Sequence, residues 1–432
     1  MKNIKHLNLN NLSFIFILTL FVFGRVFMGL TIFSLRLGEI LMGFSAVILI
    51  VLLVRDLLRF KNLDQFQKKY SVIFLLILTH FIYLIFSNGY EVFSLYPFKA
   101  SSYIWVLGFF YLGISNKFTF TSKNFLIAMF IVLVLNYFSS IFGIQNSYQE
   151  YLLKFTDKFD YLKASDLIVF FIFFVYLFTV SGFRNNQNLQ KLIILFTFFY
   201  MPLMMNKSRG ASIAFIVFLL FLIYDYFQFK DSFKNKIILF TLAGIVFVVS
   251  AFIVSKSPLE IEEVDEKVVY VSTSRYEKPV QNTPNVYDDY PIFYFENFRA
   301  FSSDGNLNWR LQIWQDVFVD VKSKNLLLIG YGYNFKIPAM TIDFRSGNDG
   351  TNENVHNFFV NVFARGGAIH LILFLSFFIT LYKQAIRVGN RKIYLMVFVP
   401  LIFTSFFDAS MENAHYPLLF YFLNGKIVNS DN

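Results

Sequence analysis

The sequence predicts an all-α, polytopic membrane protein of about 12 transmembrane helices, on three observations. Hydrophobic residues make up 56% of the 432 and aromatic residues 21%, while charged residues reach only 15%. Soluble domains carry about 25% charge, so most of this surface faces something other than water. Apolar runs of roughly 18 residues, enough to cross a hydrocarbon core about 30 Å thick, recur from one end of the chain to the other. Lys and Arg gather in alternate short connections, as they do where charge sets membrane orientation.

The predicted spans fall at 12–32, 37–54, 71–87, 101–115, 125–143, 165–182, 191–206, 211–229, 236–254, 357–381, 393–408 and 413–427. The first run has no small-residue cleavage site and reads as an uncleaved span. The runs at 101–115 and 191–206 are short, as tilted or partly re-entrant segments are. One set of alternate loops carries Arg55, Arg59, Lys61, Lys68 and Lys69, then Lys117 and Lys123, then Arg184 and Lys191. It continues with Lys230, Lys234 and Lys236, and ends with Lys383, Arg387, Arg391 and Lys392. These loops are expected in the cytoplasm, which puts both termini there and agrees with an even number of spans. The formal net charge of +10 is thereby used in orienting the chain, and no nucleic-acid partner is expected. With no cysteine there is no disulfide and no thiolate metal site.

These boundaries divide the chain into a transmembrane region of about nine spans (1–254), one large periplasmic loop between helices 9 and 10 (255–356), and a region of about three spans (357–432). The loop opens on Glu260, Glu262, Glu263, Asp265 and Glu266, followed by Val268-Val269-Tyr270-Val271 and a Pro/Asn/Asp/Tyr-rich stretch to 289. This half reads as an irregular or hairpin-containing cap. In the second half Ser303 and Asp304 offer N-caps, and Leu311, Trp314, Val317 and Phe318 fall at helical spacing through Val321. A lone long loop among tight connections is usually functional.

Three places on the loop side carry candidate chemistry. In the turn Asn206-Lys207-Ser208-Arg209-Gly210, two cations stand where outer loops are depleted of them. Snorkelling explains a long interfacial cation without any ligand. The functional reading is an anion site, in which the planar Arg209 fork, Lys207 and Ser208 sit beside the N-terminus of the next helix. The second place is Asn308-Trp309-Arg310 on the loop helix, followed by Gly330-Tyr331-Gly332, whose glycines permit a sharp turn or close approach to a ligand. The third is His356-Asn357, where the chain re-enters the membrane: an imidazole is the usual general base near neutrality, and Asn357 could orient it or a substrate hydroxyl. His80, His370 and His415 are scattered with no metal-ligand spacing, so neither a metal nor another cofactor is expected.

Taken in order, Ser208-Arg209-Gly210, Asn308-Trp309-Arg310, Gly330-Tyr331-Gly332, His356-Asn357 and Gly366-Gly367 resemble the O-antigen ligase/polymerase superfamily of bacterial glycan-assembly enzymes. Two departures are Lys324-Asn325-Leu326, where relatives tend to have a proline, and the acidic insertion before Asn308. The resemblance implies a multi-pass protein of the bacterial inner membrane with a periplasmic active site. It implies an undecaprenyl diphosphate-linked glycan as donor, membrane lipid as surroundings, and metal-independent transfer with inversion. A chain-length regulator and a flippase of the same pathway are the partners it suggests. On this reading His356, Arg310 and Arg209 are catalytic, while Lys207, Ser208, Trp309, Gly330, Gly332 and Asn357 bind substrate. The favoured activity is O-antigen polymerase, because a large idiosyncratic loop suits a repeat-unit-specific glycan site. The alternatives are a ligase that transfers to lipid A-core, and a transporter or flippase. Against a transporter, Glu39, Asp166, Asp225 and Asp408 fall near span ends, and Arg25 is the deepest cation.

Overall fold

The computed structural model describes residues 9–87, 95–115, 123–143, 151, 154–156, 162–181, 186–229, 231–256, 293–296, 298–342, 345 and 353–429. Lys117, Arg184, Lys230, the acidic stretch 260–266 and the rest of the loop to residue 289 lie outside the described residues. The chain is an all-α polytopic membrane protein: eight helices are long and apolar enough to cross a bilayer, among the residues described. It separates into two compact units, one of residues 1–72, 102–259 and 377–432, the other of residues 73–101 and 260–376.

The helices are α1 (Leu9–Gly29), α2 (Leu37–Leu58), α3 (Gln65–Ser87), the short α4 (Leu95–Ala100), α5 (Ser102–Trp105) and α6 (Gly108–Ile114), and α7 (Lys123–Phe142). They continue with α8 (Ala164–Val180), α9 (Gln187–Lys207), α10 (Arg209–Phe227) and α11 (Phe233–Ser255). The last are α12 (Gly305–Ser323), α13 (Phe358–Arg387), α14 (Arg391–Thr404) and α15 (His415–Val428). Among the described residues there are also two two-stranded hairpins, β1 (Thr31–Ile32) with β2 (Leu35–Arg36) and β3 (Phe293–Glu296) with β4 (Arg299–Ser302). Short polar side chains begin several helices by accepting first-turn amides: Asn186 before α9, Ser208 before α10 and Ser232 before α11.

Every predicted span coincides with helix, but those at 101–115, 165–182, 393–408 and 413–427 are shorter than a bilayer crossing requires. Packing explains the difference, since a helix enclosed by protein need not match the thickness of lipid. All residues of α8 from Ala164 to Leu177 are buried, and so is α15 apart from Leu418. By contrast α11, at 23 residues, turns Ile237, Ile245, Val248 and Phe252 outward, as a lipid-facing helix does. The 101–115 segment is short because α6 crosses α15 with backbones nearly touching. A Cβ at Gly425 would lie 2.6 Å from the Phe110 carbonyl oxygen, so only glycine fits. Lys426 Nζ and Asn429 Nδ2 then donate to the Ser115 and Ile114 carbonyls, each at 2.8 Å, satisfying the end of α6.

The second unit is organised by a break in α13. Gly367 has φ 63 and ψ −166, which removes the intrahelical bonds that the amides of residues 368 and 369 would give to carbonyls 364 and 365. The preceding loop supplies all four missing partners. Tyr331 N donates to Ala364 O (2.7 Å) and Gly332 N to Arg365 O (2.9 Å). Ala368 N donates to Leu327 O (2.8 Å) and Ile369 N to Leu328 O (3.2 Å). A Cβ at Gly330 would meet Ala364 O at 2.6 Å, and one at Gly367 would collide with the Leu328 backbone. Gly330-Tyr331-Gly332 and Gly366-Gly367, apart in sequence, thus form one lock. We expect Gly367→Ala to combine backbone strain with a backbone clash and to cost about 3 kcal/mol or more. Thermal inactivation of the purified protein, or its steady-state level in membranes, checks this.

Candidate active site

Helix α12 begins at Asp304, whose carboxylate accepts the Leu307 amide at 2.8 Å, as its position in the sequence predicts. Its buried row is Ile313, Val317 and Val321, packed with Ile337, Met340, Val355 and Ala364, and Trp314 lies half-buried beside it. Phe318 is 53% exposed, so the buried face is turned from the one the sequence suggested. Trp314 Nε1 donates to the Val355 carbonyl at 2.7 Å and so fixes the residue before His356.

His356 adopts φ 51, a left-handed conformation that costs a residue with a Cβ about 1 kcal/mol, though His accepts it more readily than most. Its ring meets Trp309 edge to face, with centroids 5.2 Å apart and planes at 67°. Arg310 follows Trp309 on the same helix and is half-buried, as is His356. The fold therefore brings Trp309 and His356, 47 residues apart in sequence (356 less 309), into contact.

Other predicted site residues have structural duties. Asn357 Oδ1 accepts the Val360 amide at 3.1 Å and caps α13. Asn308 Oδ1 accepts from Ser302 N and Gln312 Nε2, each at 3.2 Å, tying α12 to its hairpin. The Gly330 and Gly332 amides donate to the Leu326 and Arg365 carbonyls, so their close approach is to protein backbone.

Sequence reasoning missed the polar framework behind Trp309. Asp316 is buried and accepts from Arg299 Nη2 (2.8 Å) and Arg345 Nη2 (2.6 Å), while Arg345 Nη1 donates to Ala339 O at 3.0 Å. Arg365, 3% exposed, donates to Phe335 O (2.6 Å) and Tyr96 Oη (3.0 Å) and lies over the Tyr96 ring. Tyr333 and His370 form a further buried hydrogen bond at 2.8 Å. His370 Nε2 donates to the Ile77 carbonyl at 3.2 Å, which leaves Nδ1 to accept from the tyrosine. On the surface, Lys336 Nζ pairs with Glu353 at 2.9 Å, and that hydrogen bond raises the ammonium pKa.

In the other unit, Lys207, Ser208 and Arg209 lie where α9 passes into α10. Ser208 Oγ accepts the Ala211 amide, Lys207 Nζ donates to Leu162 O at 3.1 Å, and Arg209 occupies the first turn of α10, exposed. A Cβ on Gly210 would sit 2.9 Å from Phe407 Cβ, so this turn packs on the connection between α14 and α15. The same end holds a pair the sequence reading left apart: His415 Nε2 donates to Asp166 Oδ1 at 2.6 Å, with both side chains buried. Lone residues 249 apart give no sequence signal of such contact. Among the described residues no three His, Asp or Glu side chains come together in a metal-binding group.

No curated protein matches this chain. Residues 192–375 match the family model described as O-antigen ligase, a stretch that includes the Arg209 turn, the Trp309–His356 contact and the glycine lock on α13. Over that segment the chain is similar to the O-antigen ligase family, in agreement with the resemblance read from its motifs.

Proposed function

We propose that the protein is an O-antigen polymerase, transferring a growing glycan from undecaprenyl diphosphate to a hydroxyl of a lipid-linked repeat unit on the periplasmic face of the bacterial inner membrane. The observation that carries this is His356, held in a left-handed conformation against the Trp309 ring. Backbone strain kept at a titratable residue is a feature of functional sites.

The imidazole removes the acceptor hydroxyl proton as its oxygen attacks the anomeric carbon. The bond from that carbon to the diphosphate oxygen breaks on the opposite face, with inversion. Negative charge grows on the departing diphosphate, and Arg310 and Arg209 receive it, with Lys207 and Ser208 at the second cation. A diphosphate is a good leaving group, so base catalysis and charge stabilisation form a sufficient set. Trp309 keeps the imidazole in place. On this reading both termini and the cation-rich loops are cytoplasmic. A chain-length regulator and a flippase of the same pathway are the partners to test.

A ligase acting on lipid A-core is the second reading, favoured by the description of the matching family. Deleting the gene and resolving surface polysaccharide on a gel separates the two. Lipid A-core bearing a single repeat is the expected result. Core without any glycan indicates the ligase, and an unchanged ladder removes both.

A further inference from the structure

We propose that a cavity at the opposite end of the first unit from Arg209 binds the headgroup of an anionic glycerophospholipid. The cavity, about 230 Å³, lies between the C-terminal ends of α8 and α10 and the N-terminal end of α14. Its polar wall is Thr179, Tyr224, Asp225, Arg391 and Lys392, and Met396 belongs to its apolar wall.

Charge and access select the ligand. Arg391 and Lys392 are exposed at the mouth, and neither forms an ion pair with a carboxylate among the described residues. Lys392 Nζ instead lies 5.7 Å from the Tyr224 ring centroid. Two cations less the Asp225 carboxylate leave one positive charge, which matches one phosphodiester. The uncapped N-terminus of α14 is offset by the C-terminal ends of α8 and α10 at the same cavity, so the preference for an anion rests on the two side-chain cations. Asp225 disfavours a second phosphate but accepts hydrogen bonds from headgroup hydroxyls.

The site also opens toward lipid. Tyr224 lines the cavity and belongs to an exposed apolar row on α10 with Ile213, Leu220 and Phe227, at 47–59% exposure. Acyl chains on that row would continue from a phosphate at Arg391 and Lys392. Basic pockets between membrane helices recognise anionic headgroups in this way. This goes beyond glycan transfer and concerns the opposite face, the cytoplasmic one on the reading above.

Native mass spectrometry of the full-length protein in detergent tests it, with phosphatidylglycerol, phosphatidylethanolamine and phosphatidylcholine offered at equal concentration. Phosphatidylglycerol should be retained about tenfold or more over phosphatidylcholine, since each cation contributes a several-fold preference. Arg391→Gln with Lys392→Gln should abolish that preference. Lys383→Gln with Arg387→Gln, exposed on the last turns of α13 but outside the cavity, should preserve it. Thr179→Leu fills the cavity without altering charge and should also lose phosphatidylglycerol, which carries the test if the double variant does not purify. Equal retention of all lipids, or equal loss in the Lys383/Arg387 control, would overturn the proposal. A preference for phosphatidylethanolamine, or displacement by millimolar glycerol phosphate, would overturn it as well. None of these readouts depends on glycan transfer, so the two readings fail separately.

Discussion

Replacing His356 by Asn should slow glycan transfer by about 10²- to 10⁴-fold while leaving the protein folded and able to bind donor. Asn is the informative substitution because the native residue sits at φ 51, a conformation Asn tolerates far better than Ala or Gln. Its carboxamide can hydrogen-bond but cannot take a proton at neutral pH, so it separates base catalysis from positioning. The pH dependence must follow. An imidazole accepts a proton only when neutral, so the wild-type rate falls on acidification, and the Asn variant should lose that limb. His356→Gly relieves the backbone and leaves a space beside Trp309, so added imidazole should restore part of the rate. Transfer from lipid-linked donor in detergent, measured between pH 5 and 8, reads all three. An Asn variant with full activity, or with an unchanged acid limb, would remove the general-base role.

Eight of the spans were legible because hydrophobic length is a local property, and so were the N-cap at Asp304 and the extent of α12. What local reasoning could not reach is contact between distant residues. Gly330 and Gly367 read as separate turn signals, yet Gly330 makes room for the backbone at 364–367 and Gly367 for the backbone of Leu328 and Ile329. Asp166 and His415 looked like a span-end carboxylate and a stray histidine, and only the packing of α8 against α15 joins them. Asp316 and Arg345 lie 29 residues apart with no periodicity linking them. Four predicted spans fell short of bilayer length, and for α8 and α15 enclosure by protein, invisible in composition, relaxes that requirement. At the candidate site the residue types Trp309, Arg310 and His356 were readable from the sequence. The ring contact and the left-handed backbone at His356 were not.

Charge stabilisation should show its own signature at the two arginines. Arg310→Ala should lower transfer by about 10²- to 10³-fold, the usual effect of removing one group that stabilises transition-state charge. Arg310→Lys should recover only part of that, because an ammonium keeps the charge but loses the planar fork that matches phosphate oxygens. Arg310 is half-buried on α12, which limits the room in which a differently shaped ammonium could reach the same phosphate oxygens. Arg209 is exposed at the first turn of α10, where the helix N-terminus adds to its positive field. Arg209→Lys should therefore keep more activity than Arg310→Lys, although both alanine variants lose it. Neither arginine variant should lose the acid limb or respond to added imidazole, which distinguishes them from the His356 variants. Rates with lipid-linked donor, normalised to protein level in the membrane, decide the matter. An alanine variant with near-wild-type transfer at normal abundance would assign that arginine to orientation in the membrane rather than to the diphosphate.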